Sequence, residues 1–192
     1  MTDHVDLLDP YIHETKGIAS ATSGQILVAD GIGSGNWTSI LAYGGLVIND
    51  DAGATEVNNI GTTAQKIAVF NDSMPSLLVV SDEITDSDLE VPFNGVYAVQ
   101  FNTSASTVAA GDAGSYNVRL RINGSEGSTP NNIGVQRSFS GTGDLGAMSF
   151  FGFVNLSAGD LLTVWIESDN GGNTDDIAIY DMSFWTYLVR RT

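Results

Sequence analysis

Apolar and polar residues alternate along short runs of this chain, and Gly, Asn, Asp, Ser and Thr interrupt the runs at short intervals. A period of two residues bounded by turn-forming residues is typical of β-strands, and no long apolar stripe with the 3.6-residue helical period occurs. We therefore predict strands at residues 45–49, 65–70, 77–80, 89–91, 95–102, 115–123, 135–140, 148–156, 161–168 and 177–190. About ten short strands predict an all-β fold, an antiparallel two-sheet sandwich.

The strand predicted at 115–123 separates apolar from polar residues completely. Its two sides carry Tyr116, Val118, Leu120 and Ile122 against Asn117, Arg119, Arg121 and Asn123. Side chains on a strand alternate between the two faces of the sheet, so this strand is predicted to have one buried face and one face in solvent.

Three other strands, at 95–102, 148–156 and 177–190, carry apolar residues on both sides. In the last of them one side holds Ala178, Tyr180, Met182, Phe184 and Leu188, and the other holds Ile177, Ile179, Trp185, Tyr187 and Val189. A second apolar face has to be covered, and another copy of the chain is the favoured cover, with the chain's own N-terminal segment as the alternative. The candidate residues for this self-association are Tyr97, Phe101, Phe151, Phe153, Trp185 and Tyr187.

Charge and composition narrow the function. Seven Lys and Arg stand against 23 Asp and Glu, a formal net charge of −16, which argues against a nucleic-acid partner because phosphate binding needs clustered cations. The absence of cysteine excludes disulfides and thiolate metal sites. No apolar stretch has the length of a membrane span and no N-terminal stretch has the pattern of an export signal, so we expect a soluble protein without membrane insertion.

Enzymatic chemistry finds little support in the sequence. The two histidines, His4 and His13, lie in the Gly-rich N-terminal segment without an evident catalytic partner. Acidic runs at 82–88 and 169–176 lack the spacing of an EF-hand loop, so solvated loops are the favoured interpretation and a divalent-cation site is the alternative. A carboxylate pair for glycoside cleavage stays open, because its separation is invisible in sequence. We predict no enzyme, no cofactor and no metal site.

Four segments together resemble a known family. They are LEVPFNGVYAVQFNTSAS at 89–106, YNVRLRING at 116–124, FVNLSAGDLLTVWIES at 153–168 and IAIYDMSFWTYLV at 177–189. Their order is similar to the C1q/TNF-like jelly roll, especially the versions in bacteriophage fibre and head-decoration proteins. The family signature falls on Gly95 and Tyr97, on Asn123 and Gly124, and on Leu156, Gly159 and Asp160. The resemblance implies a jelly-roll domain at 44–192 and a homotrimer whose inner sheets meet at a threefold axis.

Residues 1–43 are predicted to form a separate extended arm. The stretch 13–37 is rich in Gly and holds one short apolar run at 26–29, so it cannot fold alone. It resembles the leader that precedes such jelly rolls in phage structural proteins, which implies an anchor or a trimer-clasping arm; a plain linker is the alternative. The candidate anchor residues are His13, Lys16, Ile18, Ile26, Val28 and Trp37.

The expected function is that of a phage virion structural protein. The favoured form is a homotrimeric capsid decoration protein, also called a cement or head-fibre protein, made in the host cytoplasm. Its arm would hold the major capsid protein or another virion protein at the capsid surface. The alternative is a tail-fibre or receptor-binding tip that recognises a host surface ligand.

Overall fold

A computed structural model of the chain describes residues 25–29, 35–39, 41–49, 55–82, 87–126, 133–172 and 174–192. Two compact units are distinguished, 1–41 and 42–192. In the first, strand β1 (Gln25–Ala29) pairs antiparallel with β2 (Gly35–Ser39). The extended form of the predicted arm and its anchoring role stay predictions. Within the described ranges no helix has the length and hydropathy to cross a bilayer.

The second unit consists of two antiparallel sheets. Sheet I contains β3 (Tyr43–Asn49), β4 (Thr55–Ile60), β6 (Asp72–Leu77), β9 (Gly95–Thr107), β13 (Leu145–Leu156) and β15 (Asp175–Arg191). Sheet II contains β5 (Gln65–Lys66), β7 (Val80–Asp82), β8 (Asp88–Glu90), β10 (Gly114–Ile122), β11 (Ser125–Glu126), β12 (Gly134–Phe139) and β14 (Leu161–Ser168). A 3-10 turn at Ala110–Asp112 lies between β9 and β10.

Most neighbouring strands within a sheet are not consecutive in the chain, because the chain crosses repeatedly between the two sheets. Sheet I runs β13-β9-β15-β3-β6, with β4 also paired to β15; sheet II runs β11-β10-β14-β8-β7, with β12 on β10 and β5 on β14. Two packed antiparallel sheets with non-consecutive neighbours are the architecture of a jelly roll. The predicted all-β sandwich is confirmed.

The core lies between the inner faces of the sheets. Sheet I contributes Leu46, Tyr97, Phe101 and Phe184, and sheet II contributes Tyr116, Val118, Leu162 and Ile166, all without solvent exposure. In β10 the predicted alternation is present from Tyr116 to Arg121, where buried apolar residues alternate with half-buried polar ones; Ile122 at the end of the strand is half-buried. One face of this strand is dry because its residues pack against the opposite sheet.

Strand prediction fails near the edges of the sheets. The prediction at 77–80 is wrong, because this stretch turns from β6 into β7 and Leu78 has a positive φ of 65°. Strands β4, β6, β7 and β11 were not predicted. Few side chains of β4 (TEVNNI) and β6 (DSMPSL) are buried. Because these strands need few apolar residues, their sequences show no clear apolar alternation.

A β-bulge corrects the predicted faces of β15. The register of β15 against β9 shifts between Ile179 and Asp181, which reverses the side of the sheet to which later residues point. As a result Ile177 and Ile179 are buried in the core together with Phe184, although simple alternation assigned them to the opposite side.

The signature residues of the resemblance form two linked turns. Asn123 and Gly124, with φ of 52° and 72°, make the turn after β10, and Gly159, with φ of 87°, makes the turn before β14. The Asn123 side chain donates to Asp160 Oδ1 (2.8 Å) and accepts from the Leu161 backbone N–H (2.9 Å). Backbone geometry favours Asn and Gly at the first turn and Gly at the second, because these residues tolerate positive φ. The hydrogen bonds of Asn123 to Asp160 and Leu161 connect the two turns.

Candidate functional site: the aromatic surface of sheet I

The outer face of sheet I carries two rows of side chains that cross four strands. In the first row Phe153, Ala98, Tyr187 and Tyr43 are neighbours on β13, β9, β15 and β3; in the second, Phe151, Gln100, Trp185 and Gly45 occupy the same strands. We call the five aromatic residues Tyr43, Phe151, Phe153, Trp185 and Tyr187 the aromatic surface. Direct cross-strand neighbours lie about 5 Å apart, so these residues form one continuous patch.

Small residues make room for the large ones. Ala98 has no exposed surface although it lies on the outer face, since it sits between Phe153 and Tyr187. A methyl group added at Gly45 would lie 2.7 Å from Trp185 Cβ and 2.8 Å from the Phe184 carbonyl oxygen, so β3 has no room for a side chain at this position. Alternation of large and small residues thus gives the patch a defined shape.

The aromatic side chains pair with each other and still face solvent. Phe151 and Phe153 meet edge to face at 5.1 Å, and Trp185 stacks on Tyr187 at 5.4 Å. The exposed fractions are 53% for Phe151, 49% for Phe153 and 38% for Tyr187. Full burial of one such side chain contributes roughly 1.5–3 kcal/mol, so the patch offers a large gain to any partner that covers it.

The other end of the same outer face is polar. Asn49, Asn102, Ser104, Ser149, Asp181 and Ser183 lie there around a shallow cavity of about 430 Å³. Gln100 Nε2 donates to Asn102 Oδ1 (3.2 Å), and Asn102 Nδ2 donates to Ser183 Oγ (3.4 Å). The outer face of sheet I therefore has an aromatic half and a polar half.

Four of the six predicted self-association residues, Phe151, Phe153, Trp185 and Tyr187, come together on this surface. Their role stays a prediction. Tyr97 and Phe101 are placed wrongly, because both are fully buried between the sheets. The Tyr97 hydroxyl donates to the Phe93 carbonyl (3.0 Å), and Phe101 stacks on Phe150 at 5.2 Å. Apolar residues stand on both sides of β9, and alternation alone does not tell which side faces inward.

Tyr43 was missed by the sequence prediction. The predicted strand began at residue 45, whereas β3 begins at Tyr43, which pairs with Tyr187. The signal was present, since Tyr43 and Val47 flank Gly45 with the period-two spacing of one face.

The structure describes few of the candidate anchor residues. His13, Lys16 and Ile18 lie outside the described residues, and so do the side chains of Val28 and Trp37, whose backbones belong to β1 and β2. Ile26 on β1 is 42% exposed. None of this tests a capsid contact, so the anchor stays a prediction.

The outer face of sheet II differs in character. Arg119 Nε lies 3.8 Å from Glu167 Oε1, and the Arg121 guanidinium lies 4.2 Å above the Trp165 ring. The Trp165 indole N–H donates to Thr163 Oγ1 (2.9 Å). These polar and half-buried side chains partner one another and need no further cover.

Histidines and clustered carboxylates are the side chains from which a catalytic or metal site could be built in this chain. Both histidines lie outside the described residues. Within the described part of the chain, no three His, Cys, Asp or Glu side chains gather at the spacing of a metal site. The distinctive feature of the surface is therefore the aromatic half of sheet I.

Comparison with known proteins supports the fold. No family model and no curated protein sequence matches the chain. Among solved structures, murine APRIL is similar with a TM-score of 0.51 and 10% identity, covering 78% of this chain and 99% of that one. The globular domain of zebrafish complement 1qA (TM-score 0.47, 20% identity) and Eiger TNF from S. frugiperda (0.47, 13%) cover 79% and 80% of this chain and 99% and 94% of theirs.

Identity at this level shows the fold alone. The second unit is a C1q/TNF-like jelly roll, as the signature turns and the two-sheet topology also indicate. Partners and biological setting require a separate argument.

Proposed function

We propose that this protein is a non-catalytic structural protein that assembles as a homotrimer through the aromatic surface of sheet I. The observation that carries the proposal is the cluster of half-exposed aromatic side chains on Phe151, Phe153, Trp185 and Tyr187. The resemblance to C1q/TNF-like jelly rolls supports the threefold arrangement over other symmetries.

Charge supports self-assembly through this surface. The chain has a net charge of −16, so two copies repel each other unless the contact is mainly apolar. In the aromatic half, the two rows of residues that contain Phe153 and Phe151 include no Asp, Glu, Lys, Arg or His; tyrosine is their only ionisable residue. Association there gains apolar burial without bringing carboxylates together.

The oligomeric state tests the first part of the proposal. The chain has a mass of 20.2 kDa, so a trimer has three times that mass, about 61 kDa, by light scattering or native mass spectrometry. Tyr187→Asp and Trp185→Asp should yield monomer or aggregate, because a desolvated carboxylate costs several kcal/mol. Asn117→Asp, the same charge change on the outer face of sheet II, should leave the mass unchanged. Soluble Tyr187→Asp trimers with unchanged melting would contradict the proposed interface.

We further propose that the trimer decorates the capsid surface of a bacteriophage, held to the major capsid protein or another virion protein by the N-terminal segment. The support is the resemblance to phage head-decoration proteins together with a separate N-terminal unit, 1–41, that contains only a two-stranded hairpin among its described residues. A two-stranded hairpin is marginally stable alone, so it gains stability from a partner surface.

Immunogold electron microscopy of the virions tests this placement. Label over the head supports decoration, and absence of label from every particle contradicts a virion role. Removal of residues 1–35 should abolish attachment while the jelly roll still melts cooperatively, and a truncated protein that still decorates shells would show that the anchor lies elsewhere.

A receptor-binding tip is the second candidate. Label at the tail tip in the same experiment would favour this candidate over capsid decoration.

A further inference from the structure

The cavity in the polar half of sheet I lies directly beside the aromatic surface. Its volume of about 430 Å³ falls within the range of roughly 300–1,000 Å³ that is typical of sites for small molecules. Its floor consists of two rows of residues that cross β13, β9, β15 and β3. They are Ser149, Asn102, Ser183 and Val47 in the row next to Phe151 and Trp185, and Ala147, Ser104, Asp181 and Asn49 in the following row.

The floor of the cavity presents polar groups of three kinds to solvent. The side chains of Asn49, Ser149 and Asp181 are exposed there, and they supply an amide, a hydroxyl and a carboxylate. Together these groups include both donors and acceptors of hydrogen bonds. Such a set matches a ligand that carries several hydroxyl groups, because each hydroxyl both donates and accepts.

Hydrogen bonds hold the remaining polar groups of the floor in place. Asn102 accepts from Gln100 Nε2 (3.2 Å) and donates to Ser183 Oγ (3.4 Å). The Asn102 amide retains a second N–H donor, and the Ser183 hydroxyl retains its own proton. Thr103 Oγ1 donates to the Asp181 carbonyl (3.0 Å), which fixes the backbone of β15 at the carboxylate. The groups are therefore positioned before a ligand arrives, which lowers the entropic cost of binding.

Trp185 forms an aromatic wall at the boundary of the cavity. It lies two residues after Ser183 on β15 and points to the same side of the sheet. Tyr187, two residues further along the strand, stacks on the indole with an angle of 19° between the rings. Because Tyr187 covers one face of the indole, the opposite face is turned toward Ser183 and the cavity.

Charge selects the kind of ligand. Among the described residues that line the cavity, Asp181 is the only charged one. A carboxylate without a cation beside it repels anions, and the net charge of −16 adds to this repulsion. The same carboxylate is a strong acceptor for hydroxyl groups. The cavity therefore suits a neutral ligand rather than a phosphate, a sulfate or an acidic sugar.

We propose that this cavity binds a neutral sugar, with one pyranose ring packed against Trp185 and its hydroxyl groups hydrogen-bonded to Asp181 and Asn102. The face of an aromatic ring carries negative potential, which attracts the C–H groups on the apolar face of a sugar ring. The hydroxyl groups at the edge of that sugar ring match the polar floor. This activity goes beyond the proposed assembly and does not require it, because the contact between chains uses the aromatic half of the face.

Saturation-transfer NMR on the full chain tests the proposal. The neutral probes are glucose, galactose, mannose and N-acetylglucosamine, and glucuronic acid is the anionic probe. At least one neutral sugar should receive saturation, with a dissociation constant on the order of 1 mM for a single ring. Glucuronic acid should bind more weakly than glucose, because Asp181 repels its carboxylate.

Two pairs of variants locate the sugar. Asp181→Asn should weaken binding about 10-fold, because a charge-assisted hydrogen bond is lost. Glu90→Gln, the same chemical change at an exposed residue of sheet II, should bind like wild type. Trp185→Leu should weaken binding roughly 2- to 10-fold, and Trp185→Phe, which keeps an aromatic face, should retain most of it.

Two results would overturn the proposal. One is the absence of saturation transfer to all four neutral sugars, and the other is equal binding by Asp181→Asn, Trp185→Leu and Glu90→Gln. Light scattering on the same samples separates this inference from the proposed assembly. A trimer that binds no sugar would overturn the inference alone, and a monomer that binds sugar would overturn the proposed contact alone.

Discussion

The outer faces of the two sheets are built by the same alternation and yet differ in kind. On sheet II the outward residues of β10 are Asn117, Arg119 and Arg121, and their neighbours on β14 neutralise or stack on them. On sheet I the outward residues at one end of β13 and β15, Phe151, Phe153, Trp185 and Tyr187, are aromatic and half exposed. The polar side chains of the first face are compatible with contact to solvent. The aromatic side chains of the second face are stabilised when another surface removes them from water.

This difference teaches that an antiparallel sandwich can pair its polar residues on the outer face of one sheet and leave aromatic residues half exposed on the outer face of the other. A strand with apolar residues on a single side is sufficient for folding. The second apolar side on sheet I adds nothing to the core of one chain, and this is the basis of the proposed contact between chains. Four predictions sharpen the comparison, in decreasing order of expected effect.

The largest effect is expected for Phe184→Ala on the inner face of sheet I. Phe184 is fully buried and packs near Phe70, so its loss leaves a cavity and should reduce the free energy of unfolding by about 3–5 kcal/mol. Phe151→Ala on the outer face should reduce it by less than about 1 kcal/mol in dilute monomer. Urea denaturation measures both, and equal losses would mean that the aromatic surface already belongs to the core of one chain.

A smaller effect is expected for Gly45→Val within the aromatic surface. Its side chain would collide with Trp185 Cβ and with the Phe184 carbonyl oxygen, so β3 and β15 must separate locally, which disturbs the stacking of Trp185 on Tyr187. Overpacking of this kind costs typically about 1–3 kcal/mol. Altered tryptophan emission together with weaker association is the expected result, and unchanged association would show that the stacking of Trp185 on Tyr187 is unimportant for assembly.

Arg121→Ala on the outer face of sheet II should have a modest effect. The substitution removes the guanidinium that covers Trp165, an interaction worth about 0.5–1 kcal/mol at an exposed site. The oligomeric mass should not change, because the proposed contact between chains does not involve the outer face of sheet II. Loss of the trimer in Arg121→Ala would reverse the assignment of the two faces.

The smallest effect is expected at Asp144, in the turn between β12 and β13. Hydrogen bonds from the Ser140 N–H (2.7 Å) and Oγ (2.9 Å), with the nearby Arg137 cation, lower its pKa below the usual 3.8. A carboxyl whose folded pKa is depressed stabilises the fold above its unfolded pKa and loses that contribution as pH falls through the folded value. Asp144→Asn should therefore flatten the acid side of the stability profile below about pH 4, measured by melting from pH 2 to 6.

Turns and face alternation were predictable because they are local. The Asn123-Gly124 turn needs positive φ at both residues, and the alternation in β10 matches a sheet with one wet face. The edge strands β4 and β6 were not predictable in the same way, since few of their side chains are buried and their pairing comes from distant strands.

The candidate site was predictable only in part. Phe151, Phe153, Trp185 and Tyr187 were identified because β13 and β15 carry more apolar residues than one core face can hold. Tyr97 and Phe101 were assigned to the same surface in error, since β9 lies between β13 and β15 and its two sides look alike in sequence. The choice between its sides depends on which residues face sheet II.

The sequence by itself determined the all-β class, the positions of the principal turns, the wet face of β10 and the presence of more apolar surface than one core needs. Each of these follows from local geometry: a two-residue period, a glycine with positive φ, or a count of large side chains. Only the tertiary structure decided the bulge at Ile179 to Asp181 and the burial of Tyr97 and Phe101. These features depend on strands that are far apart in the chain and become neighbours when the two sheets close over a shared core.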